Sequence, residues 1–327
     1  MRQEQQTPLL LAMGKHWFKL IRTLLDNGAD ANVENNDGKT PLPMLSEHWW
    51  LHSEDDVLCT ARSLLEHGAE VDKRDKPNQT PLLLAMVRGR FKLAQIFLEH
   101  GANANIESKD DKTPLDLLAK DHRHNEAHDY NETDFLNLAL LLLDHGAELI
   151  RRDKDKQTPL LFALGRDWFK LAQILSERGA DANGENCNGE TSLHLLSNSR
   201  VHSESDALDL IQLSLEHGAS VNKRDEYNRS PLLLVMGRNW LFFFWRNWFE
   251  LARILLEHGA DANAENDVGK TPLHILSECQ IFDSSDLGFI NSHLGLCSEH
   301  GAEVNRRYKG NETPLLLEIG TRMHKLA

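Results

Sequence analysis

The chain is short of positive charge. Lys and Arg total 36 against 50 Asp and Glu, a formal net charge of −14 over 327 residues. A nucleic-acid sheath needs many cations to neutralise phosphates, so that class is disfavoured and basic partners are favoured. Cysteine is scarce as well. Cys59, Cys187, Cys279 and Cys297 form no C-x-x-C pair and no framework of spacings, which points to a reducing compartment. Long hydrophobic runs are missing. A membrane helix needs about 20 apolar residues, and the most apolar stretch, RNWLFFFWRNWFELA at 238–252, holds six in a row before Arg246 and Asn247 interrupt it. The opening MRQEQQTPLL lacks the apolar core of a secretory signal. Together these absences lead to the expectation of an intracellular protein, cytoplasmic or nuclear, without membrane insertion. The hydrophobic share of 40% still supports a folded chain.

What is present is a repeat. Thr-Pro-Leu or a close variant begins at Thr7, Thr40, Thr80, Thr113, Thr158, Thr191, Ser230, Thr271 and Thr313. A Gly-Ala pair stands twelve residues before each later start, at Gly28, Gly68, Gly101, Gly146, Gly179, Gly218, Gly259 and Gly301. Between them lie apolar blocks at helical spacing, such as FKLAQIFLEHGA at 91–102. Thr before Pro fits an N-cap followed by the N1 position. Leu9, Leu11 and Ala12 are expected to face neighbouring helices. Leu20, Ile21, Leu24 and Leu25 make the apolar stripe of a second helix. His-Gly, as in His100-Gly101, ends that helix with Gly in the left-handed C′ position. Asp, Asn and Gly then form the turn of a protruding finger, as at Asn35-Asn36-Asp37-Gly38. One such unit cannot bury its apolar face alone, so the units must stack.

This pattern resembles the ankyrin repeat family over nearly the whole chain. The family's T-P-L-H stands intact as Thr271-Pro272-Leu273-His274, and its G-A-D-x-N as Gly28-Ala29-Asp30-Ala31-Asn32 and again from Gly179 and Gly259. The resemblance implies an all-α repeat solenoid of helix–turn–helix units with β-turn fingers. The expected layout is a partial finger at 1–6, eight repeats in four two-unit pairs over 7–312, and a truncated ninth repeat at 313–327. Both ends fall in mid-repeat, where fraying is expected.

The spacing alternates between 33 and about 40 residues. Repeats starting at Thr7, Thr80, Thr158 and Ser230 form one class, with an aromatic start to the second helix at Trp17-Phe18, Phe91, Trp168-Phe169 and Trp248-Phe249. The other class carries polar insertions between the helices, such as HSEDD and HSESD, where Ser53 and Ser203 are expected to be N-caps with Asp56 and Asp206 at N3. Fingers after the first class are acidic. Those after the second carry a basic pair, Lys73-Arg74, Arg151-Arg152, Lys223-Arg224 or Arg306-Arg307. Two readings follow: mutual attraction between neighbouring fingers, or a charge-striped surface that selects a partner. Removing RNWLFFFW at 238–245 restores the 33-residue spacing, so it is an insertion in an inter-helix turn that extends the second helix backwards by about two turns. Its apolar residues Trp240, Leu241, Phe242, Phe243, Phe244 and Trp245 pack on adjacent insertions, or form a patch for a partner or a second copy, or are a sequence accident.

Chemistry has little to attach to. There is no P-loop and no Gly-rich phosphate cradle. His67, His100, His145, His217, His258 and His300 are helix-end residues, and His194 and His274 belong to the repeat motif. The cluster outside the pattern is DHRHNEAHDY, with Asp121, His122, His124, Glu126, His128 and Asp129. Zinc accepts such ligands, but the cluster lies in the longest inter-helix insertion and is read as a solvated loop. The formal sequons Asn78-Gln79-Thr80 and Asn311-Glu312-Thr313 are read as finger grammar. No catalytic set, cofactor or metal is assigned. The resemblance implies a non-catalytic scaffold or adaptor for a protein partner, with a regulatory module masking an enzyme, or a structural spacer, as alternatives. By match to the family's finger tips, the binding residues are Asn36, Asp37, Lys39, Lys76, Pro77, Gln79, Lys109, Asp110, Lys112, Lys154, Asp155, Gln157, Cys187, Asn188, Glu190, Glu226, Tyr227, Arg229, Asp267, Val268, Lys270, Lys309, Gly310 and Glu312. Tyr227 is the leading hot-spot candidate. Lys156 and Tyr308 depart from the family pattern, which wants Gly or Asn at the first and Asp at the second.

Overall fold

Each first helix begins where a hydroxyl or its equivalent precedes the helix. Thr7, Thr80, Thr158 and Ser230 are extended, and each side-chain oxygen accepts the amide three residues on at 3.3 Å. The proline that follows takes N1, where its missing N–H costs nothing, and such a cap is worth about 1 kcal/mol. The computed structural model describes residues 7–47, 53–120, 132–153, 155–198, 204–237, 245–278, 284–308 and 313–314. Among these residues there are sixteen α-helices and no strand.

The chain divides into two compact units, Met1–Lys154 and Asp155–Ala327. In the first, short helices α1 (Pro8–Gly14), α3 (Pro41–Glu47), α5 (Pro81–Val87) and α7 (Pro114–Lys120) pack in one row. Their companions α2 (Phe18–Asp26), α4 (Glu54–Glu66), α6 (Phe91–Glu99) and α8 (Glu132–Asp144) pack in a second row. The second unit repeats this with α9 (Pro159–Gly165), α11 (Ser192–Asn198), α13 (Pro231–Met236) and α15 (Pro272–Ser277) in one row. There the other row is α10 (Phe169–Glu177), α12 (Glu204–Glu216), α14 (Trp245–Glu257) and α16 (Ser284–Glu299). Each unit is thus an all-α repeat stack, the class read from the sequence.

Second-helix length follows the repeat class. Helices α2, α6 and α10 have nine residues, whereas α4, α8 and α12 have thirteen. The polar insertions therefore lengthen the second helix by about one turn. Ser53 occupies the N-cap of α4 as expected, but its side chain makes no capping hydrogen bond. Helix α14 also has thirteen residues and starts at Trp245, four before the Phe249 that matches Phe18, Phe91 and Phe169. The described part of the aromatic insertion accounts for about one turn of this helix. Residues 238–244 and the side chain of Trp245 lie outside the described residues, as do His122, His124, His128 and Ser203.

The second helices end as Schellman motifs. Ala29 N donates to Leu24 O at 2.9 Å and Gly28 N to Leu25 O at 2.9 Å. Gly28 sits at φ +84°, where a Cβ would be strained. The C-cap histidine completes the end: Nδ1 of His67, His100, His217 and His258 lies 2.8 Å from the carbonyl four residues back. Between the rows sits the core, with Leu9, Ala12, Leu82, Leu93 and Phe97 all at 2% exposure or less.

Two expectations fail here. Leu11 is 46% exposed and Leu20 41%, whereas their equivalents Leu84 and Leu93 are buried. Helices α5 and α6, which carry Leu84 and Leu93, pack against α3 and α4 of the preceding repeat, whereas no described helix precedes α1 and α2.

Candidate functional site

Each finger is built around one anchor position, five residues before the N-cap of the next helix. Asn35 Oδ1 accepts the amides of Asp37 and Lys39, both at 2.9 Å. Asp225 Oδ1 accepts those of Tyr227 (3.0 Å) and Arg229 (2.8 Å). Asn186 and Asn266 do the same for Asn188 and Glu190, and for Val268 and Lys270. The backbone closes the turn, with Asn35 N on Lys39 O at 3.0 Å and Asp225 N on Arg229 O at 3.0 Å. Three residues after the anchor the chain goes left-handed, at Gly38, Asn78, Asp111, Lys156, Gly189, Asn228 and Gly269. At Gly189 a Cβ would also lie 3.2 Å from Glu226 N of the next finger, so two constraints coincide there.

This geometry sorts the nominated residues. The two positions after the anchor point outward: Asn36, Asp37, Lys76, Pro77, Lys109, Asp110, Cys187, Glu226, Tyr227, Asp267 and Val268 are exposed, as is Asp155, while Asn188 is half-buried. The position just before the N-cap turns inward, so Lys39, Gln79, Lys112, Gln157, Glu190, Arg229 and Lys270 are half-buried. Lys154, Lys309, Gly310, Glu312 and Trp240–Phe244 lie outside the described residues. Tyr308, at an anchor position, packs its ring edge on His274 at 5.4 Å and lies 5.2 Å below Lys270 Nζ.

The charge alternation is used within the fingers. Lys73 Nζ lies 3.2 Å from Glu34, Lys223 Nζ 2.7 Å from Glu185 and Arg306 Nη2 2.8 Å from Glu265, and Arg151 pairs with Glu107. The second base of the pair reaches the other way. Arg74 donates to the carbonyls of Asn78 (3.0 Å) and Glu107 (3.4 Å), and Arg224 to those of Asn228 and Glu265. Each of these ion pairs is exposed or half-exposed at the surface and contributes roughly 0–1 kcal/mol.

A second tie was not singled out in the sequence. Asn183 Nδ2 donates to Gly218 O at 2.8 Å while its Oδ1 accepts Ser220 N at 2.6 Å. Asn32, Asn105, Asn222 and Asn263 bridge their neighbours in the same way. The signal was the Asn recurring four residues after the Gly of the Gly-Ala pair. Asp72 and Ile150 break it: Asp72 only accepts, from Asn103 N, and Ile150 is 69% exposed.

The motif histidines are caps. His194 Nδ1 accepts from Thr191 N at 3.2 Å and lies 2.9 Å from Thr191 Oγ1, while Nε2 donates to Arg229 O at 3.0 Å. Burial pushes its pKa below the usual histidine value, and the Arg229 carbonyl opposes the shift. Asp116 does the same task for Thr113, accepting both N and Oγ1 at 2.9 Å. Burial raises its pKa, and the bonds from Thr113 hold it back. Among the described residues no group of three or more His, Cys, Asp or Glu is placed to hold a metal ion, and no helix is long and apolar enough to cross a membrane.

Comparison with known proteins agrees with this architecture. The profile of the ankyrin repeats (three copies) matches residues 49–130. The chain is 31% identical over 94 residues to the ankyrin repeat and KH domain-containing protein mask-1 of Caenorhabditis elegans, and 33% identical over 70 residues to an ankyrin repeat protein of Rickettsia felis. Those stretches cover 29% and 21% of this chain but only 3% and 30% of the two relatives. Among solved structures, the ankyrin repeat domain of Bcl-3 matches 77% of this chain and all of its own, with TM-score 0.53 and 21% identity. An ankyrin repeat domain from Acinetobacter baumannii matches 68% of this chain and 98% of its own, with TM-score 0.52 and 23% identity.

Proposed function

This chain is built of ankyrin repeats, and from that premise we propose that it is a non-catalytic scaffold whose finger tips, with the ends of the first helices, bind a protein partner. The observation that carries the reading is the division of labour within each finger. The anchor, the left-handed residue and the bridging Asn fix the backbone, while the tip side chains, all exposed among the described residues except the half-buried Asn188, differ from finger to finger. A rigid frame with variable exposed tips is how loops on a scaffold carry recognition. We also read residues 7–312 as eight repeats in four pairs. The absence of a cysteine framework supports an intracellular setting.

The test is affinity capture with the immobilised full chain, followed by direct binding of the retained partner. Tip substitutions such as Asp37→Ala, Lys76→Ala and Tyr227→Ala are expected to weaken that partner while leaving the thermal midpoint unchanged. A partner indifferent to every tip substitution would remove the finger-tip reading. No retained partner would favour a structural spacer.

A further inference from the structure

The tips of the second unit differ in character from those of the first. Two residues past the anchor, the first unit carries Asp37, Pro77 and Asp110; the second opens with Asp155 at this position and continues with Asn188, Tyr227 and Val268. Tyr227 is 53% exposed and Val268 49%. They stand on consecutive fingers that are tied together, since Arg224 and Asn228 both donate to Glu265 O. The finger of Asn188 joins the row through Glu226 N, which donates to Asn188 O at 2.9 Å.

Charge differs in the same sense. The first unit's finger segments 34–39, 73–79 and 107–112 hold six acids and six bases; the three consecutive segments around Asn188, Tyr227 and Val268, 185–190, 223–229 and 265–270, hold six acids and four bases. All four of those bases are already engaged: Lys223 by Glu185, Arg224 by two carbonyls, Arg229 by Asp225 and Lys270 by Glu278. Glu226 and Asp267 sit exposed beside the two apolar tips.

Tyr227 is also held ready. Its ring lies 4.9 Å from the Arg229 guanidinium, which Asp225 grips through Nε at 2.7 Å and Nη2 at 2.6 Å. Asp225 is buried, so the ring rests on a fixed shelf. An aromatic anchor that is already ordered loses little entropy on binding.

We propose that the second unit's finger tips, centred on Tyr227 and Val268 and flanked by Glu226 and Asp267, bind a peptide segment in which a large apolar side chain adjoins Lys or Arg. The apolar tips supply the buried contact, and the acids meet the flanking cation. This rests on the finger-tip reading above and narrows it to one unit and one partner chemistry.

The probe is a phage-displayed library of random peptides, selected on the immobilised full chain, with the best peptide then synthesised. The expected consensus pairs an aromatic or aliphatic residue with Lys or Arg. The peptide's Kd is expected to rise at least about tenfold, some 1.4 kcal/mol, in Tyr227→Ala and in the double variant Glu226→Lys, Asp267→Lys. It should stay unchanged in the double variant Asp37→Ala, Asp110→Ala. An acidic consensus, or binding unmoved by Tyr227→Ala, overturns the proposal. Binding that depends on Asp37 and Asp110 instead overturns it while leaving the finger-tip reading intact. Binding indifferent to the tips of both units, or no enriched peptide, overturns both.

Discussion

Lys156 shows how a single residue can work against its own finger. It holds φ +56° at a position where the other fingers use Gly, Asn or Asp. A long side chain in the left-handed region costs roughly 1–2 kcal/mol, a cost Gly avoids and Asn softens. Lys156→Gly is therefore expected to raise stability by about 1 kcal/mol. Urea unfolding would show this as a higher midpoint at constant slope. His194 and Asp116 occupy equivalent cap positions and respond to acid in opposite directions. The folded pKa of His194 lies below 6.5 because the neutral ring is buried. Its contribution is complete above pH 6.5 and is lost as pH falls towards the folded value, because the unfolded chain takes the proton first. The folded pKa of Asp116 lies above 3.8, so its ionised form is a burden at neutral pH that disappears as pH falls through that raised value. Measured from pH 8 to 5, the stability gap between the parent and His194→Gln should narrow with acid. Carried on below pH 5 towards 3.8, the gap to Asp116→Asn should move in favour of the parent.

At the scale of the element, the fingers depend on backbone bridges more than on charge. Asn183 satisfies a carbonyl and an amide of the next repeat at once. Asn183→Ala should cost about 1–2 kcal/mol, since two hydrogen bonds of about 1 kcal/mol each are exchanged for water. The exposed pair Lys223–Glu185 should cost less than 1 kcal/mol when Lys223 is replaced by Met. Comparing the two variants at low and high salt separates the mechanisms: only the Lys223 effect should fade with salt. Thiol chemistry reports on the helices. Cys297 is buried in α16 and its pKa is pushed up to about 12, whereas Cys59 and Cys187 are exposed. A thiol reagent should label Cys59 and Cys187 in the folded protein and reach Cys297 only on unfolding.

For the whole molecule, the alternating charge bears on both stability and recognition. Because Glu34, Glu107, Glu185 and Glu265 each face a base of the following finger, the stripe serves first as cohesion within each unit. Partner binding that is flat across salt would confine it to that role; a steep fall would give it a second one. The insertion RNWLFFFW is tested at the same scale. Deleting 238–245 restores the repeat spacing. Lost stability would identify packing, and lost binding at unchanged stability would identify a docking patch.

The sequence by itself determined the repeat, the helix starts, the helix ends and the place of the turns. These are local decisions, settled by Thr-Pro caps, Schellman Gly-Ala pairs and anchor residues within a few positions of where they act. Only the tertiary structure decided what depends on a neighbouring repeat. It buries Leu93 and exposes Leu20, though both fit one helical stripe: α6 has α4 packed before it and α2 has no described helix there. It turns Arg229 inward onto Asp225 and leaves Tyr227 outside, although both stood in one set of finger residues. Burial, pairing and the Asn bridges are relations between repeats some 35 to 43 residues apart, and no local pattern contains them.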